Sequence, residues 1–452
     1  MPETITIRKG LDLPIGGAAE KLLTDARSIT TYAMKPTDFV GLTPRLLVEE
    51  GDVVAVGDAL FCDKNDERIR FTSPVSGQVK AIVRGEKRRL LEVVVETDFK
   101  SAPTIELPKT AEEIKAAMLQ CGLWTSLRQR PFGTVANPDD KPKAIFVSAF
   151  SSAPLAPDYD FIMQGKEDLL LKGLEALTNL TDGKVHICFK PNQQLAKQLS
   201  ILNYQFSIHH ISGPHPAGNI GTQIAHIDPI NKGEVVWTMN IQDVAVLGEL
   251  VTKGIYNPEK VIAVAGPNIK NPHYYRVKAG ACLAEITKAQ LPNEDNPMTD
   301  RVISGDILSG TQIAADGFLG AYDDLVSIIP EGDYYDFMGW LMPGFKKFSF
   351  SRTFLSGFLP KMLKWKFDTN THGDERPLVF TGNFERVFPF DIYPTQLIKA
   401  CIIGDIELME NLGIYEVEPE DFALCEFIDT SKTDIQAIIR EALEKLRKEA
   451  LS

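Results

Sequence analysis

One stretch constrains this chain more than any other: Ile208 to Asp228, reading IHHISGPHPAGNIGTQIAHID. Phe206 to Ile211 alternates apolar and polar side chains, the pattern of a strand. Gly213, Pro214, Pro216, Gly218 and Gly221 then exclude regular structure for about ten residues. A loop of this kind exposes backbone N–H groups and imidazoles at a strand's end, where open α/β sheets place their ligands. Four of the seven histidines (His209, His210, His215, His226) fall within it. On a strand His209 and His210 face opposite ways, and no carboxylate or Cys stands at ligand spacing, so a metal site is not expected. The stretch reads as a binding or docking loop, with His215 and Gly218 as candidates, or as a rigid structural turn.

The 452 residues are enough for three or more domains. A net charge of −13 argues against a general nucleic-acid binder. No run approaches the roughly 18–20 apolar residues needed to span a bilayer. The start, MPETITIRKG, lacks the apolar core of a signal peptide, so a cytoplasmic location is expected. The six cysteines (Cys62, Cys121, Cys188, Cys282, Cys401, Cys425) are scattered without a CxxC, which excludes a locally spaced zinc ribbon or ferredoxin cluster. They read as buried free thiols. Neither GxGxxG nor a Walker loop occurs.

Leu46 to Thr97 reads as short strands and tight turns. Its Gly51-Asp52 and Gly57-Asp58 steps and Phe71 to Val79 resemble a biotinyl/lipoyl-type barrel sandwich. The position of a carrier lysine in such folds falls near Asp66, with Lys64 off register, so a swinging arm is not expected. Thr110 to Glu113 forms a capping box before a helix whose apolar face is Ile114, Ala117, Met118 and Cys121. Arg128 and Arg130, ahead of Pro131-Phe132-Gly133, could hold an anion or a planar ligand's edge, or form a solvated pair beside a core Phe. From Lys143 to Gly266, strands alternate with helices over 167–177, 192–199 and 241–253, the last ended by Gly254, which predicts a largely parallel sheet. Phe337 to Phe367 contains no Asp or Glu, yet interleaves Lys346, Lys347, Arg352, Lys361, Lys364 and Lys366 with Trp340, Phe345, Phe348, Phe350, Phe354, Phe358, Trp365 and Phe367. That mixture suits contact with lipid headgroups or a membrane partner, or an internal core strand pair. From Pro394 onward the chain reads as helical, and Thr433 with Gln436 caps a last amphipathic helix.

Ser212 to Gly218 with Gly221-Thr222, then Val236-Trp237, Asn240-Ile241 and Gln242-Asp243-Val244, resemble the NqrA family of the sodium-translocating NADH:ubiquinone oxidoreductases, which is related to the Rnf complex C subunit. Gly122 to Gly133 fits the same pattern. The resemblance implies a multidomain α+β and α/β chain. Its expected parts are a barrel-sandwich domain over 1–102, an α/β flavin-domain-like module over 103–257, a β-grasp (SLBB-like) module over 258–330, a basic aromatic segment over 331–380 and a helical C-terminal domain over 381–452. The β-grasp module is signalled by Val264 to Pro267, the Asn271-Pro272 turn and Gly280 to Ile286. Relatives carry a Gly-rich phosphate loop where Arg130 to Pro142 has only Gly133, so an emptied flavin-type fold is expected. Cys401 and Cys425 stand where the Rnf relative has cysteine sets for two iron–sulfur clusters.

The family further implies a peripheral subunit on the cytoplasmic face of the cell membrane, partnered by other subunits, integral-membrane ones included. FAD, FMN, riboflavin and the iron–sulfur centre belong to those partners, and this chain is expected to bind no cofactor and no metal. Ubiquinone is a possible ligand, near the stretches Lys35 to Leu42 and Phe132 to Pro138, which makes Phe39, Gly41, Leu42, Phe132 and Gly133 candidates. The alternative is a structural scaffold with no quinone site of its own.

Overall fold

A computed structural model describes residues 4–100, 102–200, 206–291, 300–339, 341–345, 347–358 and 364–450. Trp340, Lys346 and Lys361 of the basic aromatic segment lie outside the described residues.

The central sheet has seven strands in the order Thr4–Thr6, Ser207–Ser212, Lys184–Phe189, Ala144–Ser148, Val236–Asn240, Arg128–Arg130 and Thr134–Val135. The first five run parallel and the last two form an antiparallel hairpin. Its middle strands are near-continuous apolar runs because helices cover both faces. On one face Glu167–Thr178 and Ile241–Lys253 pack so closely that a Cβ on Gly173 would lie 1.9 Å from the Val244 carbonyl oxygen. A Cβ on Gly248 would lie 1.8 Å from that of Leu169. Ile220–Ile227 covers the other face, setting Ile224 against Ala144, Phe146 and Val236. Gly221, expected in the irregular loop, is helical; the turn gives way to the helix at Ile220 because the following residues place an apolar stripe on the sheet.

Two smaller sheets form the barrel sandwich. One orders Thr31–Met34, Leu90–Thr97, Gly77–Arg84 and Val53–Val54; the other orders Pro44–Leu46, Ala59–Asp63 and Arg70–Thr72. The strand Glu259–Ala265, expected in the parallel α/β sheet, instead belongs to a six-stranded one, between Leu325–Pro330 and His273–Lys278. Residues 4–25 lie outside the barrel: Thr4–Thr6 edges the seven-stranded sheet and Glu20–Asp25 edges the six-stranded one. The capping box at Thr110 and the left-handed end at Gly254 form where the sequence places them.

The C-terminal region is helical around a core that includes Phe384, Phe388, Phe390, Leu397, Phe422 and Leu443. Between 337 and 367 no strand pair exists among the described residues; turns and one short 3-10 helix, Leu355–Phe358, take its place. All six cysteines are free, four of them buried.

Candidate functional site

Two separated stretches meet beside the barrel. After Thr31–Met34, one turn of 3-10 helix at Pro36–Asp38 ends with the Phe39 amide donating to the Pro36 carbonyl at 3.3 Å. Val40 then forms a parallel bridge with Thr134 of the hairpin that opens at Arg128. Phe132 and Gly133 turn that hairpin with φ of 84° and 67°, and Gly133 donates to the Gln129 carbonyl at 3.0 Å. The last helix, Ile435–Ala450, lies across both stretches. Arg447 donates to the Gly41 carbonyl at 3.0 Å, and Arg440 donates to the Phe132 carbonyl at 2.9 Å.

The backbones meet, but the rings diverge. Phe39 is buried, its ring 4.4 Å from Phe71 and 5.6 Å from Tyr322. Phe132 points the other way, edge-on to Tyr415 at 6.1 Å. Leu42 is half-buried against the barrel core.

Phe39 borders a narrow cleft with about 40 Å³ of free volume, where the barrel, the α/β domain and the six-stranded sheet converge. Met34, Leu319 and Tyr322 supply apolar wall; Lys35, Asp38, Asp243 and Lys260 supply charge. Lys35 donates to the Phe318 carbonyl at 3.2 Å and lies 3.4 Å from Asp38. Asp38 accepts the Ala321 amide at 2.9 Å, and Lys260 donates to the Ala321 carbonyl. Burial raises the Asp38 carboxyl above its ordinary range against the pull of Lys35, and raises Asp243 against the pull of Lys260. Arg128 sits 5.1 Å from the centre of the Tyr322 ring, and the Tyr322 hydroxyl donates to the Thr125 carbonyl at 2.9 Å.

Sequence reasoning passes over Asp243, Lys260 and Tyr322 as site residues. Lys260 is the second residue of the strand Glu259–Ala265, directly ahead of its apolar run, and Tyr322-Asp323-Asp324 directly precedes another strand; charge at the mouth of a buried run is the signal that would find them.

Arg130 is neither solvated nor open to a foreign anion. It is buried, and its anions are the chain's own: Glu420 at 2.5 Å and Asp421 at 3.1 Å. Burial opposes ionisation of both acids. Arg130, Arg128 and Arg440 outweigh it at Glu420, which stays below its ordinary range, whereas burial pushes Asp421 up to about 7. Arg440 adds a contact to Glu418 at 2.9 Å. A Cβ on Gly221 would meet Asp421 and Arg130 at 2.5 and 2.6 Å, so the helix can approach this cluster only through a glycine.

His215 and Gly218 lie apart from the cleft, in a tightly held turn. The buried His215 has its Nδ1 3.1 Å from Ser152 Oγ, while its amide donates to Asp12 at 2.9 Å. The Gly218 amide donates to the same Ser152 hydroxyl at 2.7 Å. His209 instead meets His186, nitrogen to nitrogen at 2.9 Å. The crevice beyond Ala144–Ser148 and Val236–Asn240, where such sheets bind ligands, is filled by the chain. Gln223 donates to Ser148 Oγ at 2.8 Å, and Asn240 donates to Asp324 at 3.3 Å.

Three models of one family match the chain in succession. They are the NqrA N-terminal barrel-sandwich hybrid domain over 5–98, the NqrA second alpha/beta domain over 109–256 and the NQRA C-terminal domain over 261–315. The NqrA chain of the Na(+)-translocating NADH-quinone reductase from Yersinia pseudotuberculosis serotype I (strain IP32953) is 40% identical over 453 residues, covering 98% of this chain and 100% of the relative. The chain belongs to the NqrA family of Na(+)-translocating NADH-quinone reductase subunits. The NqrA of Serratia proteamaculans (strain 568) is also 40% identical, covering 98% and 100%, and that of Rhodopirellula baltica is 38% identical, covering 98% of each. In this member of the NqrA family, no helix among the described residues is long and apolar enough to cross a membrane. Nor does any group of three or more His, Cys, Asp or Glu among them have the placement to hold a metal ion.

Proposed function

We propose that this chain is the peripheral subunit of a sodium-pumping NADH:ubiquinone oxidoreductase, at the cytoplasmic face of the membrane, and that it holds ubiquinone where its first domains converge. The Val40–Thr134 bridge carries this reading, because it joins Lys35 to Leu42, the stretch that the family resemblance links to quinone, to the second candidate stretch, Phe132 to Pro138, and sets the first along the cleft. A quinone ring needs an apolar slot with a few placed polar groups. Phe39, Met34 and Leu319 offer the walls of a slot that opens further to admit the ring; Lys35 and Lys260 are ammonium donors for carbonyl oxygens; Asp38 and Asp243, kept prone to protonation by burial, can hold protons that a reduced quinone takes up. Electrons would come from FAD, FMN, riboflavin and iron–sulfur groups on partner subunits. The α/β domain then acts as a flavin-type fold without its nucleotide, and Glu259–Ala265, His273–Lys278 and Ala284–Gln290 as the strands and helix of a β-grasp module.

Titrating the purified chain with a short-chain ubiquinone tests this, with Trp124 as reporter because its neighbours Leu123 and Thr125 line the cleft. Saturable quenching is expected, weakened about tenfold or more in Phe39→Leu and Lys260→Met, a loss of about 1.4 kcal/mol. Quenching that stays linear in quinone sinks the reading. A scaffold without quinone would then stand, favoured by the way Arg447 and Arg440 tie both stretches to the last helix.

A further inference from the structure

Among the described residues from Phe337 to Phe367, the large side chains serve two different uses. Phe348 and Phe350 are anchors: the Phe348 ring lies 5.5 Å from Phe367 and 6.0 Å from Phe427, and the Arg386 guanidinium lies 4.5 Å from the centre of Phe350. Trp365 is held by a backbone bridge to Ile15. These contacts fasten the segment to the helical domain and to the N-terminal strap. They give no reason for Phe337, Phe345 and Phe358, which are 88%, 58% and 78% exposed, with Leu341 and Met342 also exposed nearby. Large apolar side chains gathered on one exposed segment mark a contact surface.

Charge narrows what the contact is. Sequence 337–367 has no acid in a chain of net −13, and Arg352, Lys364 and Lys366 are exposed with no acidic partner among the described residues. Carboxylates close in again on both flanks, at Asp333 and at Asp368 and Asp374, while Asp336 is ion-paired with Lys347.

We infer that this face docks a partner protein through a segment that presents apolar side chains with carboxylates among them. An anionic bilayer would meet the three cations, but it would also repel the flanking acids and the acidic chain behind them. A protein can put its carboxylates opposite the cations alone. The inference is independent of the quinone cleft, so either can fail without the other.

The test uses the full chain, added back to membranes that hold the rest of the complex but lack this subunit. Phe337→Ser, Phe345→Ser and Phe358→Ser combined should leave thermal unfolding unchanged, since these side chains are exposed, and weaken membrane retention at least about tenfold. Arg352→Glu, Lys364→Glu and Lys366→Glu combined should do the same and abolish the salt dependence of binding. Retention equal to that of the unsubstituted chain in both variants overturns the inference. So does equally strong binding of the unsubstituted chain to protein-free phosphatidylglycerol vesicles, which would make the surface a lipid contact.

Discussion

Single residues carry much of the cost of building this molecule. Arg130 lies between the buried Asp421 and the half-buried Glu420, nearly 300 positions away, so its charge is balanced only in the folded state. Arg130→Met should strand Glu420 and Asp421 and lower stability by about 3 to 5 kcal/mol, measured by urea unfolding. A change of about 1 kcal/mol or less would mean that water reaches the cluster. The His186–His209 pair makes stability depend on pH. Burial, reinforced by His209, depresses the His186 imidazole from 6.5 to about 4. The unfolded chain therefore takes up the proton first as pH falls. The contribution is fully present above 6.5 and is lost on acidification towards 4, up to about 3 kcal/mol. Thermal unfolding across that window should slope downward with acid, and His186→Phe should flatten it.

At the scale of elements, the chain's ends and close contacts follow two kinds of rule. The helix Ala111–Cys121 begins where Thr110 and Glu113 satisfy each other's free amides, so Thr110→Ala should cost about 1 kcal/mol. The pair Glu167–Thr178 and Ile241–Lys253 touches backbone to backbone at Gly173 and Gly248. Gly248→Leu has no space to enter and should cost several times the capping change, about 3 kcal/mol or more, with the loss of cooperative unfolding as readout. The cap at Thr110, the helix over 241–253 and the alternation before the GPHPAG turn are legible in the sequence because each depends on neighbours within one or two turns. The helical state of Gly221 is not, because its conformation follows from the face that Ile224 buries against Phe146. The cap expected from Thr433 with Gln436 does not form: the Thr433 hydroxyl has no partner, Asp434 accepts the Ala437 amide at 3.2 Å, and Gln436 is held by Glu426 from the preceding helix.

Across the whole molecule, residues 4–25 knit separate bodies together. They contribute an edge strand to the seven-stranded sheet and another to the six-stranded one before the chain enters the barrel at Thr31–Met34. Deleting residues 4–25 should therefore split one calorimetric transition into two or more while leaving the barrel's own sheets intact; a single unshifted transition would deny the strap this role. The alternating α/β order, the barrel's turn-rich strands, the Thr110 cap and the family can all be read from residue order, since they are written in local periodicity, turn chemistry and loop motifs. It took the packed chain to show that Val40 meets Thr134, that Glu259–Ala265 belongs to the six-stranded sheet, and that Arg130 finds its anions in the last domain. Strand pairing and buried charge balance draw their energy from burial between distant segments, and neither leaves a pattern in the residues alongside.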